Sequence, residues 1–107
     1  MGVIDASGVL ALLRDEPGAE PVAGLVRARR VDFTSVGLAE AIDHLVRTAG
    51  ATPAAAVVGI ASLGLPIHAL TPAIAVEAGA LRAGHYHRRR RPVSMADCVV
   101  AATGLVR

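Results

Sequence analysis

The chain has 107 residues and a formal net charge of +2, and it is 53% hydrophobic but only 2% aromatic. This length predicts one domain over residues 1–107, with a core of close-packed Ala, Val, Leu and Ile. All 11 basic residues are arginines, so mechanisms that need a lysine, such as a P-loop or a Schiff base, are excluded.

The elements are predicted from apolar runs, helical periodicity and turn residues, and strands alternate with helices. In chain order we predict a strand at residues 2–4, helices at 6–14 and 19–30, a strand at 31–35, helices at 37–49 and 53–63, a strand at 67–70, and helices at 72–84 and 95–104. A turn is predicted at residues 15–18, and a basic stretch at residues 85–91 precedes the last helix. This alternation predicts an α/β fold, in which helices flank a parallel sheet.

The cellular setting follows from what the sequence lacks. No apolar run reaches the roughly 18 residues of a membrane span, and the N-terminus does not read as a signal peptide. The single cysteine, Cys98, cannot form an internal disulfide and is expected to be a small core residue. We therefore expect a cytoplasmic protein without membrane contact.

Three acidic residues stand at positions that can carry chemistry. Asp5 closes the first predicted strand, Glu40 lies early in the helix after the second strand, and Asp97 lies at the start of the last helix. Carboxyl ends of parallel strands meet at one edge of the sheet, where α/β folds bind their ligands. Three carboxylates there would repel one another unless a cation were present. Mg²⁺ or Mn²⁺ suits such hard oxygen ligands and supports hydrolysis of phosphodiesters.

Each acid taken singly also has a structural interpretation. Asp5 fits a helix N-cap, and Asp97 fits a capping box that begins at Ser94. Glu40 fits a solvated helix face. The residues of that face are Glu40, Asp43, His44 and Arg47.

Three segments of the chain resemble the PIN-domain family, and most closely its VapC-type toxin ribonucleases. They are VIDASGVLALLRDEPGAE, TSVGLAEAIDHLVR and LRAGHYHRRRRPVSMADCVVAATGL. The family motif V-x-D-A-S matches at Asp5, N-L-x-E at Glu40 and L-S-x-x-D at Asp97, although Gly37 stands where asparagine is common. The resemblance implies a three-layer PIN-like fold and an Mg²⁺- or Mn²⁺-dependent endoribonuclease whose catalytic and metal-binding residues are these three acids. It also implies that Ser7 contacts a metal-bound water.

The resemblance further implies that the chain is the toxin of a type II toxin–antitoxin pair, with RNA as substrate, an antitoxin protein as partner and a homodimer as assembly. The family usually continues with another strand, which carries a fourth acid, whereas this sequence stops at Arg107. We therefore expect a PIN-like domain that is incomplete at its C-terminus, lacks the last strand or strands, and exposes an unpaired edge beside the first strand. The alternative function is a catalytically inactive PIN remnant that binds antitoxin or RNA. A phospho-receiver domain is disfavoured because it needs a lysine.

The basic stretch is the candidate RNA-binding segment. Arginine side chains can hold an RNA backbone, and a tyrosine can stack a base. The candidate residues are Tyr86, Arg88, Arg89, Arg90 and Arg91. A solvated loop, or contact with an acidic antitoxin, explains the same charges equally well.

Overall fold

The structure, a computed structural model, describes residues 2–14, 19–28, 30–85 and 95–106. It has the predicted α/β fold, a three-stranded parallel sheet flanked by helices. Its elements in chain order are β1 (Gly2–Val3), α1 (Ala6–Arg14), α2 (Ala19–Arg27), β2 (Val31–Thr34), α3 (Ser35–Ala49), α4 (Pro53–Ala61), β3 (Ile67–His68), α5 (Pro72–His85) and α6 (Met95–Val106). The order of strands and helices confirms the prediction. The predicted turn at residues 15–18 lies outside the described residues.

The sheet has the strand order β1-β2-β3, and both strand pairs are parallel. Val3 lies opposite Asp32, and Thr34 lies opposite His68. Since the strands run the same way, their carboxyl ends share one edge of the sheet. Within the described residues β1 is an outer strand, with β2 on one side only.

Two apolar clusters form the core, and the second of them packs α5 against α6. The first contains Ile4, Val9, Leu10, Phe33, Ala41 and Ile60, and the second contains Ile74, Ala78, Cys98, Val99 and Ala102. Cys98 is only 3% exposed, which confirms the prediction of a core residue. Side chains alternate between the faces of a strand, so Phe33 and Asp32 point to opposite faces. Gly104 of α6 lies beside the side chain of Val3, which places α6 on the face opposite Phe33.

The element ends are set by local hydrogen bonds, and some differ from the prediction. Helix α2 ends at Arg27 instead of residue 30, because the Arg30 N–H bonds to the Leu25 carbonyl at 2.9 Å and curls the chain out of the helix. Helix α3 begins at Ser35, two residues earlier than predicted, with Thr34 as its N-cap. It ends at Gly50, whose positive φ of 70° suits glycine. Strands β1 and β3 are each two residues long, shorter than predicted.

The described helices are short. The longest of them, α3, has 15 residues. No helix in the described part of the chain combines the length and the apolar character needed to cross a membrane.

Candidate active site

Asp5 stands in the turn between β1 and α1, at the carboxyl end of its strand. Its Oδ1 accepts two hydrogen bonds of 2.9 Å, one from the backbone N–H of Gly8 and one from the hydroxyl of Ser7. The bond from Gly8 is the N-cap contact that the sequence predicted. Oδ1 accepts both bonds, and Oδ2 takes part in neither of them. Because the side chain is exposed, Oδ2 can bind a ligand.

The start of α1 comes this close to the strand because residue 8 is glycine. A Cβ atom on Gly8 would lie 2.6 Å from Cγ1 of Ile4 and 3.4 Å from Oδ1 of Asp5. The first distance is a clash, because two carbon atoms that are not bonded to each other pack about 3.5–4.0 Å apart. Gly8 therefore lets its N–H reach Asp5 while Ile4 stays buried in the first cluster.

Glu40 is exposed and lies in the second turn of α3, one turn after Ser35 starts the helix. Of the four residues of the predicted solvated face, Glu40, Asp43 and Arg47 are exposed, whereas His44 is half-buried. Arg47 donates two hydrogen bonds of 2.8 Å to Asp43. The bond from Arg47 holds the pKa of Asp43 below its usual value, and it raises the pKa of Arg47. Asp43 therefore pairs with Arg47, as predicted.

Gly37 occupies the position where the resembling motif has asparagine, and the structure gives a reason for the difference. Gly37 is buried, and a Cβ atom there would lie 2.5 Å from Cε1 of Phe33 and 3.1 Å from Oγ1 of Thr34. The ring of Phe33, which is 0% exposed, fills the space that a side chain at residue 37 would need. The Gly37 N–H donates to Thr34 Oγ1 at 2.9 Å, which caps α3.

Asp97 is exposed in the first turn of α6. Gly104 lies beside Val3, and Val100 lines the same groove as Asp5. Helix α6 therefore packs against β1. Ser94, the predicted capping partner of Asp97, lies outside the described residues.

An open groove of about 400 Å³ lies beside β1. Its walls come from β1, the starts of α1 and β2, and the facing sides of α2 and α6. The lining residues are Gly2, Val3, Ile4, Asp5, Gly8, Leu25, Val31 and Val100. Among the described residues, the lining is apolar or glycine apart from Asp5.

The three predicted acids do not form a compact metal centre in this structure. Among the described residues, no group of three or more His, Cys, Asp or Glu side chains is close enough to hold a metal ion. Asp5 has the features of a ligand, because Oδ2 is outside its two hydrogen bonds and the side chain is exposed. Asp97 makes other contacts. The ligand set of Asp5, Glu40 and Asp97 stays a prediction.

Ser7 contacts Asp5 directly, through its hydroxyl, and its predicted contact with a metal-bound water stays a prediction. The candidate RNA-binding residues lie outside the described residues. They are Tyr86, Arg88, Arg89, Arg90 and Arg91.

A buried polar pair on β2 and β3 was missed by the sequence reasoning. Asp32 is 2% exposed, and its Oδ2 lies 2.9 Å from Nε2 of His68. A signal was present, because Asp32 interrupts an otherwise apolar strand and an imidazole stands in the next one. Pairing satisfies a carboxylate that would be costly to bury alone, so the pair ties β3 to β2.

Comparison with known proteins places this chain in a family. The family model of the PIN domain matches residues 2–107. No curated protein and no solved structure gives a significant match. Because the match covers nearly the whole chain, the chain belongs to the PIN domain family, a nuclease family whose members are generally metal-dependent.

Proposed function

We propose that this PIN domain is an Mg²⁺- or Mn²⁺-dependent endoribonuclease, the toxin of a type II toxin–antitoxin pair of the VapC type that acts in the cytoplasm. The observation that carries the proposal is the geometry of Asp5. Its carboxylate stands at the carboxyl end of a parallel strand, where α/β folds bind ligands. One oxygen is fixed by Ser7 and Gly8, and the other is left for a cation.

The proposal assigns a role to each acid. Asp5 offers Oδ2, while Glu40 and Asp97 supply exposed carboxylates from α3 and α6. A divalent cation bound there supplies charge neutralisation and an activated water for phosphodiester hydrolysis. Ser7 acts through Asp5, because its hydroxyl bond holds the carboxylate in one orientation. Since the acids do not form a compact group in the described residues, binding the cation requires side-chain movement.

The RNA strand and the antitoxin are the proposed partners, and a homodimer is the proposed assembly. Tyr86 and the arginines at residues 88–91 are proposed to hold the RNA by stacking and by phosphate contacts. They directly precede α6 in the chain, which carries Asp97. The RNA sequence and the antitoxin are left open by this proposal.

A second candidate function is a catalytically inactive PIN domain that binds RNA or antitoxin without cleaving. The specific observation in its favour is the spacing of the three acids, which leaves no three-ligand group in the described part of the chain. Such a domain would retain the fold and the basic segment and would bind divalent cations weakly.

The experiment that separates the two candidates is cleavage of a structured RNA panel with Mg²⁺ or Mn²⁺. The wild-type chain is compared with Asp5→Asn, Glu40→Gln and Asp97→Asn. Asp43→Asn is the matched control, because Asp43 is an exposed acid of α3 that pairs with Arg47. Isothermal titration with Mn²⁺ on the same proteins measures metal binding independently of RNA.

Cleavage by the wild type and by Asp43→Asn, but by none of the other three variants, supports the nuclease. Equal cleavage by wild type and Asp5→Asn contradicts the assignment of Asp5. If the folded wild type neither cleaves nor binds Mn²⁺ but still binds RNA, the inactive domain is the correct function.

A further inference from the structure

The imidazole of His68 is held in one orientation by a buried carboxylate. Asp32 is 2% exposed, and its Oδ2 lies 2.9 Å from Nε2 of His68. The Leu70 N–H donates to Ser35 Oγ at 3.2 Å, and this bond ties the segment after β3 to the start of α3. His68 is therefore fixed both through its side chain and through the chain that follows it.

The contact with Asp32 also decides which ring nitrogen of His68 carries the proton. An ionised carboxylate only accepts hydrogen bonds, so Nε2 donates to Asp32. In the neutral imidazole the other nitrogen, Nδ1, is then an acceptor. Nδ1 has no hydrogen-bond partner in the described part of the chain, and it is not buried. Since 33% of the side chain is exposed, His68 presents a fixed acceptor to a ligand.

The strand register places this acceptor at the edge of the sheet that carries Asp5. Val3 lies opposite Asp32, and Thr34 lies opposite His68. Asp5 follows Val3 by two residues, as Thr34 follows Asp32, so Asp5 and His68 stand at the same level, where β1 and β3 end. Neighbouring strands lie about 4.8 Å apart, and two spacings put the two backbones about 10 Å apart. A nucleic acid strand held at Asp5 can therefore bring a neighbouring nucleotide to His68.

An acceptor at this place selects for a hydrogen-bond donor on the substrate. The phosphate oxygens of a nucleic acid are acceptors, so a neutral Nδ1 does not bind them. RNA carries one donor on every sugar, the 2′-hydroxyl, which DNA lacks. The N–H donors of the bases differ from one nucleotide to the next. In a strand held through a phosphate, the adjoining sugar comes to the same place whatever the base sequence.

We propose that His68 is a sugar-reading residue, whose Nδ1 accepts a hydrogen bond from a ribose 2′-hydroxyl of RNA bound along this edge of the sheet. Asp32 is its positioning residue, because it holds the proton on Nε2 and the ring in one orientation. The inference rests on the proposed function for the identity of the ligand, which is RNA. It adds the group by which this domain distinguishes RNA from DNA.

The test compares two probes that differ only in the 2′-hydroxyl. They are a fluorescein-labelled oligouridylate and an oligodeoxyuridylate of the same length. Fluorescence anisotropy with the full chain in Ca²⁺, which takes the same oxygen ligands as Mg²⁺ in a looser geometry, measures both affinities, and electrophoresis checks that the probes stay intact. We expect the wild type to bind the RNA probe about two- to tenfold more tightly, the range of one hydrogen bond.

The variant His68→Gln separates sugar reading from stability. The glutamine amide reaches the position of Nε2 and can donate to Asp32, but it leaves no acceptor at the position of Nδ1. We expect the fold and the affinity for DNA to be kept, while the affinity for RNA falls to that for DNA. His44→Gln is the matched control, because it makes the same change at a half-buried position of α3, and it should keep the wild-type preference for RNA.

A second measurement uses the unmodified chain, so a folding defect in His68→Gln would not leave the question open. The RNA probe should shift the NMR resonance of His68 Nδ1, and the DNA probe should not. The proposal is overturned by any of three results. These are no saturable binding of the RNA probe, equal shifts of Nδ1 with both probes, and a folded His68→Gln variant that keeps the preference for RNA.

Cleavage in Mg²⁺ or Mn²⁺ is measured separately, so failure of the inference differs from failure of the nuclease. If the wild type cleaves RNA but His68→Gln keeps the preference for RNA, the nuclease stands and His68 serves the fold alone. If the preference depends on His68 but the wild type does not cleave, the inference stands and the domain is the inactive one.

Discussion

The hydroxyl of Ser7 donates to Oδ1 of Asp5 at 2.9 Å, and the same oxygen accepts the N–H of Gly8. The two oxygens of the Asp5 carboxylate therefore have different roles. Oδ1 caps α1 and fixes the side chain, while Oδ2 takes part in neither bond. Helix capping and cation binding are therefore compatible roles for Asp5, although the sequence presents them as alternatives.

Substitutions at Asp5 should separate its structural role from its proposed chemical role. Asp5→Asn keeps an oxygen that accepts from Gly8 and should change the free energy of unfolding by less than about 0.5 kcal/mol, whereas Asp5→Ala loses the cap and should cost about 1 kcal/mol. Both should abolish metal-dependent cleavage. Urea denaturation followed by circular dichroism measures the stability. If Asn and Ala destabilise equally, Asp5 does not stabilise α1 as a cap.

Ser7→Ala should lower cleavage without loss of fold. The hydroxyl bond to Asp5 is exposed, so its removal should cost no more than about 0.5–1 kcal/mol of stability. The carboxylate would then sample more orientations, and we expect a reduced kcat. Ser7→Thr retains a hydroxyl and should recover most of the rate, which a purely steric role for the serine would not predict.

Features set by neighbouring residues were predictable from the sequence. The order of the elements, the cap at Asp5 and the end of α3 at Gly50 depend on spacing and turn chemistry within a few residues. The pair of Asp32 and His68 joins residues 36 positions apart. It depends on the register of β2 and β3, which no local pattern specifies.

The candidate site was predictable to the same limited extent. Asp5 was located because its strand and helix are adjacent in sequence. The distances between Asp5, Glu40 and Asp97 depend on how α3 and α6 pack against the sheet, and local patterns do not encode that packing. The close fit of Gly37 against Phe33 also depends on packing. From the sequence, Gly37 was seen only as a glycine where the family motif commonly has asparagine.

Removing His68 should destabilise the fold through Asp32. His68→Ala deletes one partner of a carboxylate that is 2% exposed, and we expect a loss of about 1–3 kcal/mol in the free energy of unfolding. A double-mutant cycle with Asp32→Asn isolates the pairwise part. His44→Ala, on the half-buried side of α3, serves as the comparison. Additive effects of the two substitutions would show that the contact contributes nothing to stability.

Arg47→Gln should raise the pKa of Asp43 towards its usual value, because the Arg47 hydrogen bond is the largest cause of the lowered pKa. Folding lowers the pKa of this carboxyl, so its ionised form stabilises the folded state at pH values above the pKa of the unfolded state. This stabilisation is lost as the pH falls through the pKa of the folded state. The pair is exposed, so the effect on stability should be small and weakened by salt. An NMR titration of the Asp43 carboxyl carbon measures the shift. Arg27→Gln, on α2, should leave that pKa unchanged.

Gly37→Asn, which restores the common residue of the family motif, should destabilise this chain. Its Cβ would lie 2.5 Å from the ring of Phe33, and overpacking of this kind costs about 1–3 kcal/mol. Phe33→Leu alone opens a cavity and should also destabilise the chain. In the double variant the smaller side chain at residue 33 removes the clash with Asn at residue 37. The double variant should therefore be more stable than the sum of the two single effects predicts. Urea denaturation of the four proteins measures the coupling, and Gly79→Asn is the control, since a Cβ on Gly79 meets no atom within 4 Å. Strict additivity would mean that Phe33 does not determine the glycine at residue 37.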